Sequence, residues 1–291
     1  MIESARQLSC QVCKGSQVLV LLILVGTFGT ALADPQVDYF SGGELVAIGG
    51  SATALMTAGI IAKHSTGDRP ANWTTPGRLE ASISRFFGGT PQPGKRNFLD
   101  SDFGSGVTTT LGAALVFAAD MSVPRDDRAK DVLQGQFMYL SGAVATRGLT
   151  DIVKGLVRRQ RPISYFAPEL ARTKPNYTPE GERHSFFSGH ASGAFFSMTY
   201  ANLRIREAMR ADLTPGDYRD WRWVAPAVTY GWATFVALSR IQAYRHYLSD
   251  VTAGALVGYA VGVLVYELGK NVRETADGQP TPLMIRVSFS L

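Results

Sequence analysis

Apolar runs separated by polar connections dominate the chain. Residues 18–33 are apolar, and Ala31-Leu32-Ala33 precedes Asp34. Residues 45–62 form a second run, eighteen long and without a charge. Residues 63–102 are polar and rich in turn formers, among them Gly67-Asp68-Arg69-Pro70 and Pro91-Gln92-Pro93-Gly94. Five further runs follow, at 106–121, 133–152, 189–203, 223–238 and 251–268. Continuous apolar runs of this length, without strand-like alternation, predict helices. Only residues 285–291 alternate as a short strand would.

This order predicts an all-α fold, a bundle of five to six core helices. Residues 1–33 read as a signal peptide or signal anchor, because a polar stretch with Arg6 and Lys14, an apolar stretch and a small-residue site come in that order. Residues 34–104 read as an N-terminal helix and a long polar loop, 105–275 as the main bundle, and 276–291 as a tail. In an array of helical hairpins, alternate connections lie at the same end. The connections 153–188 and 239–250 therefore share one end, and 122–131 and 204–222 share the other.

Composition sharpens this only a little. Hydrophobic residues make up 45% of the chain and mean hydropathy is +0.02, between soluble and fully membrane-embedded proteins. Thirty glycines, many inside apolar runs, favour closely packed membrane helices. Gly254, Gly258 and Gly262 form a four-residue stripe on which another helix can approach. The net charge of +5 is spread over loops, with no run suited to nucleic acid. The two cysteines, Cys10 and Cys13, fall in the leader segment, and one such pair is a weak metal or redox signal.

Three polar stretches carry the candidate chemistry, and all lie on the two connections that share an end. In the first, Lys154 stands seven residues before Arg161-Pro162. The second is Ser188-Gly189-His190, at the start of an apolar run. The third is Ser239-Arg240, then His246, then Asp250. Lys154, Arg161 and Arg240 are cationic donors, and guanidinium groups suit the oxygens of a phosphoryl group. Ser188 and the Gly189 N–H at a helix start make an anion cradle. His246 and Asp250, four apart on a helix beginning near His246, share one face, so the carboxylate can orient the imidazole. Two histidines with different partners can divide nucleophile and acid work. Taken singly, each of these residues is ordinary: a flanking charge, an N-cap, a satisfied histidine. Arg158 and Arg159 read as a solvated loop, and His64 and His184 have no partner that sequence can name. No metal-binding constellation is evident.

Together the three stretches resemble the signature of the type-2 phosphatidic acid phosphatase superfamily: Lys-x6-Arg-Pro, Pro-Ser-Gly-His and Ser-Arg-x5-His-x3-Asp. Ten positions match, and Phe187 stands where that family usually has proline. The gaps of 24 and 48 residues between stretches are typical of it. The resemblance covers about residues 105–270 and implies a phosphatase bundle embedded in a membrane, with the active-site loops at one end. It implies that His246 attacks phosphorus and forms a phosphohistidine, that Asp250 holds and polarises it, and that His190 protonates the leaving oxygen and then activates water. It implies that Lys154, Arg161, Ser188, Gly189 and Arg240 hold the phosphoryl group. The substrate is then a phosphorylated lipid, hydrolysed without metal or other cofactor. A soluble periplasmic phosphatase of broad specificity, a vanadium-dependent haloperoxidase and a non-enzymatic scaffold are the alternatives.

Arg125, Arg128 and Lys130 on one connection, and Arg204, Arg206, Arg210, Arg219 and Arg222 on another, lie opposite the motifs. Short cationic loops stay cytoplasmic. The expected location is a bacterial inner membrane with the active site facing the periplasm. Cleavage after Ala33 would leave Asp34 outside, so residues 45–62 are then expected not to span.

Overall fold

The computed structural model describes residues 42–67, 69–88, 103–123, 128–173 and 177–276. The expected leader at 1–33 and the expected strand-like segment at 285–291 lie outside the described residues. Among the described residues, six long helices run along the bundle: α1 (Gly42–His64), α3 (Phe103–Ser122), α4 (Arg128–Val157), α7 (Gly189–Asp212), α9 (Val224–Gln242) and α10 (Leu248–Ala276). Four short ones join them: α2 (Arg78–Gly88), α5 (Pro162–Phe166), α6 (Pro168–Arg172) and α8 (Pro215–Trp221). No strand occurs among the described residues; Trp73 and Arg159 form one isolated parallel bridge. The fold is the all-α bundle that the apolar runs predict.

Helix α7 is central and packs against α10, α3, α9 and α4. The main core includes Met56, Val116, Phe137, Tyr139, Phe196, Tyr200 and Val265, from five helices. The glycine stripe of α10 lies on α7: a Cβ on Gly258 would sit 2.1 Å from the Ser192 carbonyl oxygen. No side chain fits there, which is why glycine is required. Helix α1 packs on α4 in the same manner. A Cβ on Gly148 would lie 2.4 Å from the Leu55 carbonyl carbon, and one on Gly155 would lie 2.4 Å from the Ala62 carbonyl oxygen. The register advances together along both helices, so α1 runs parallel to α4 and both end at the motif end.

That geometry bears on residues 45–62, expected not to span. They lie lengthwise in the bundle, and α1 and residues 248–270 are each long and apolar enough to cross a membrane. The bundle exterior is apolar as well: Val46 is 73% exposed and Leu256 66%, and Val228, Phe235 and Leu264 also face outward. Exposed apolar side chains on several long helices fit a lipid-facing surface.

The end opposite the motifs holds a buried ion cluster. Arg204 Nε donates to Asp120 Oδ1 at 2.8 Å, and Arg204 Nη1 to Glu207 Oε2 at 2.9 Å. Arg204 is therefore an internal partner of α3, not one of the loop charges that report topology. Residues 63–102, expected within a long polar loop, contain α2, whose Ile83 packs at the motif end against Ala191, Ile241 and Val251.

Candidate active site

Helix α4 delivers Lys154 from its last turn. One turn earlier in the helix, Asp151 is paired on two sides. Arg147 Nε donates to Asp151 Oδ2 at 2.8 Å, and Lys63 Nζ from α1 donates to Asp151 Oδ1 at 3.3 Å. Lys154 itself is buried and lies against the second motif: a Cβ on Gly189 would sit 3.3 Å from its Nζ. Arg158, in the left-handed region at φ 46°, ends the helix and turns the chain inward.

Ser188 caps α7, its Oγ accepting from the Ala191 N–H at 3.3 Å. The Ser188 N–H donates to the Asp250 carbonyl at 2.9 Å, tying the second motif to the third. The Ser185 N–H donates to the Arg159 carbonyl at 2.9 Å, tying it to the first. His190, the second residue of α7, has a buried Nε2 with no hydrogen-bond partner, and burial, followed by the charges of Arg240 and Lys154 among its neighbours, holds it well below the ordinary histidine range. Phe187 is buried and packs edge-on against Phe186 at 6.1 Å between ring centroids.

Helix α9 brings Arg240 in its last turn, and the Arg240 carbonyl accepts the N–H groups of Arg245 and His246 at 3.1 and 3.2 Å. His246 lies two residues before Leu248, where α10 begins, close to the expected start. His246 Nδ1 lies 2.7 Å from the Ser185 carbonyl oxygen and so carries the proton, leaving Nε2 with the lone pair. Burial, and after it the charges of Arg161, Lys154 and Arg240, hold His246 well below the ordinary histidine range; the Ser185 bond acts the other way. An imidazole surrounded by three cations stays neutral and marks a place prepared for anionic oxygens.

The structure brings together all eight candidates: Lys154, Arg161, Ser188, Gly189, His190, Arg240, His246 and Asp250. It revises the expected contact of Asp250. Its Oδ2 is 3.8 Å from His246 Nδ1, beyond hydrogen-bond reach, and instead accepts from the Ser185 hydroxyl at 2.5 Å and the Tyr247 N–H at 2.9 Å. Asp250 thus acts on His246 as a nearby charge and through the Ser185 loop, while a backbone carbonyl fixes the tautomer. Arg161 is anchored as well, with its Nε donating to the Gly181 carbonyl at 2.9 Å.

Three contributors escaped the sequence reading. Arg159 is no solvated loop residue: it is 1% exposed, and Nη1 donates to Asp250 Oδ1 at 2.6 Å. Its neighbours Trp73 and Glu80 are far away in sequence, so nothing local to Arg159 signals its burial. Ser185 acts through a carbonyl, which every residue carries. His184 sits 3.5 Å from Thr66 Oγ1 and is pushed down to about 3 by burial, then by Lys63, Lys154 and Arg161.

Fold and site therefore define an all-α protein with a cluster of cationic and imidazole side chains at one end of its bundle. Residues 135–274 match the PAP2 superfamily. Among its relatives, phospholipid phosphatase 1 of Rattus norvegicus is 30% identical over 145 residues, covering 44% of this chain and 49% of that protein. Phospholipid phosphatase 2 of Homo sapiens is 26% identical over 193 residues, covering 55% of this chain and 63% of that protein. The chain spans about half the length of the curated relatives it matches. The crystal structure of a transmembrane PAP2-type phosphatidylglycerolphosphate phosphatase from Bacillus subtilis aligns with a TM-score of 0.44 and 16% identity, over 76% of this chain and 96% of that one.

Proposed function

We propose that the chain is a membrane phosphatase that hydrolyses a lipid phosphate or diphosphate through a phosphohistidine. The observation that carries this is the surrounding of His246 by Arg161, Lys154 and Arg240, with Nδ1 held by the Ser185 carbonyl. His246 Nε2 attacks phosphorus as the bond to the leaving oxygen breaks, and His190 gives that oxygen its proton. Lys154, Arg161, Arg240 and the Ser188–Gly189 cradle take up the charge on the phosphoryl oxygens. Water then attacks the phosphohistidine, His190 takes its proton, and inorganic phosphate leaves with His246 restored. No oxidant or reductant is needed. His246 must be neutral and His190 protonated at the start, so the rate is bell-shaped in pH. Burial, and after it Arg240, His246 and Lys154, hold His190 well below the ordinary histidine range, so the anionic phosphoryl oxygens have to supply the charge that keeps its proton. A lipid substrate suits the apolar exterior and the names of the relatives. The site faces the periplasm of a bacterial inner membrane in this reading.

The test is phosphate release by the purified protein from undecaprenyl diphosphate, phosphatidic acid, phosphatidylglycerol phosphate and a soluble aryl phosphate, beside His246→Ala. Preference for a lipid, lost in the variant, is the expected result. Equal or faster turnover of the soluble ester would overturn the lipid assignment. Full activity in His246→Ala would overturn the mechanism.

A further inference from the structure

Residues 72–80 belong to the polar segment before the family-matched residues 135–274, yet they reach the active-site carboxylate. The Asn72 N–H donates to the Arg158 carbonyl at 3.1 Å, and the Gln160 N–H donates to the Trp73 carbonyl at 2.9 Å. Arg158 Nη2 donates to Asn72 Oδ1 at 2.6 Å. Residues 72–73 are thereby stitched along the connection that follows α4. The Trp73 ring covers one side of the Arg159 guanidinium at 3.6 Å, and the Tyr247 ring lies at 4.2 Å.

Helix α2 follows and presents Glu80. Arg159 Nη2 donates to Glu80 Oε2 at 2.6 Å, while Nη1 donates to Ser249 Oγ at 2.7 Å and to Asp250 Oδ1 at 2.6 Å. The Ser249 hydroxyl closes the ring by donating to Glu80 Oε1. One buried guanidinium is thus shared between two carboxylates, one of which, Asp250, lies 3.8 Å from His246.

We infer that Glu80 is a positioning residue of the active site, acting through Arg159 and Ser249 to set how Asp250 meets His246; this rests on the phosphatase reading above. The physical argument concerns where the Arg159 charge goes. With Glu80 ionised, Asp250 keeps part of its charge for the imidazole, which becomes cationic as the phosphohistidine forms. With Glu80 neutral, the guanidinium turns wholly to Asp250 and draws that charge away from His246. The groups that hold the phosphoryl oxygens are untouched. The loss therefore falls on kcat and spares KM.

The experiment compares wild type with Glu80→Gln, which keeps the shape and removes the charge, and with Ser249→Ala, a smaller cut in the same ring. Leu79→Gln, on an exposed neighbour of α2, is the control. The expected result is a kcat lower by roughly ten-fold in Glu80→Gln and less in Ser249→Ala, with KM nearly constant. The acid limb of the kcat/KM profile moves to lower pH in Glu80→Gln, because a negative charge near His246 has gone. A role confined to holding α2 would lower the melting temperature and leave the acid limb where it was. An active wild type with unchanged kcat and acid limb in both ring variants overturns this inference alone. A wild type that releases no phosphate from any substrate overturns the functional reading, and this inference with it.

Discussion

His246 Nδ1 meets the backbone carbonyl of Ser185 at 2.7 Å, while the Asp250 carboxylate stands 3.8 Å away. Orientation and charge are therefore supplied by different groups, and substitutions can separate them. Ser185→Ala keeps the carbonyl and removes only the hydroxyl that Asp250 accepts at 2.5 Å. We expect it to cost about 1–2 kcal/mol of stability and less than about ten-fold in kcat. Asp250→Asn removes the charge beside His246 and half of the Arg159 pairing. It should lower kcat by about 100-fold or more and stability by about 3–5 kcal/mol. Steady-state kinetics with thermal unfolding separates the two; equal kcat losses would contradict the division.

The site histidines make stability depend on acid. His184 is pushed down to about 3, and His246 is held well below its ordinary value. The unfolded chain takes up these protons at about pH 6.5, whereas the fold resists them. Stability from keeping the imidazoles neutral is complete above about pH 6.5 and is lost as pH falls toward their folded values, at about 1.4 kcal/mol per pH unit for each group. Thermal unfolding between about pH 7 and 5 should show a falling midpoint. His184→Gln should make that slope shallower; a slope unchanged by the substitution would mean that His184 titrates normally.

The helices were legible in sequence because apolar runs have to be buried or face lipid, and the gathering of the motifs followed from which connections share an end. Arg159 and Asp120 were not legible, because a buried charge is identified by its partner. Those partners, Glu80 and Arg204, lie 79 and 84 residues away. Helix α2 was hidden in a turn-rich segment, since Leu79, Ile83 and Phe86 make only a short helical stripe. Ser185 could not be found from its side chain, since its contact with His246 is made by the backbone.

Arg204 tests whether the far end of the bundle is structural. Its guanidinium is buried against Asp120 and Glu207. Arg204→Met fits the space and leaves Asp120 buried beside no guanidinium from α7. The expected loss is about 3–5 kcal/mol of stability. Activity per folded molecule should be unchanged, because every candidate site residue is at the opposite end. A selective fall in kcat at a temperature where the variant is folded would show coupling between the ends.

The α10 glycines are not equivalent. A Cβ on Gly254 would lie 2.6 Å from the Ser188 carbonyl, whereas one on Gly262 would meet the Thr199 side chain at 2.9 Å. Both alanine variants are overpacked, at about 1–3 kcal/mol each. Only Gly254→Ala displaces the Ser188–Gly189 cradle, so it alone should raise KM or lower kcat well beyond its stability loss. Matched kinetic losses in Gly254→Ala and Gly262→Ala would mean that the cradle tolerates the shift.

Membrane orientation follows from helix α1. It runs parallel to α4 and ends with His64 at the active-site end, so Gly42 and the site lie at opposite ends of the bundle. If α1 spans, a site outside the cytoplasm requires Gly42 inside, whereas cleavage after Ala33 would deliver Asp34 outside. The two expectations exclude each other. Arg210, Arg219 and Arg222 are exposed at the end opposite the site, and cationic ends stay in the cytoplasm, so the charge pattern favours the outward site. Single cysteines settle the matter in a background with Cys10 and Cys13 replaced by serine. Leu79→Cys is at the site end and Trp221→Cys at the other, and both positions are exposed. A membrane-impermeant maleimide added to intact cells should label Leu79→Cys and spare Trp221→Cys. The reverse pattern would turn the site to the cytoplasm and agree with cleavage after Ala33.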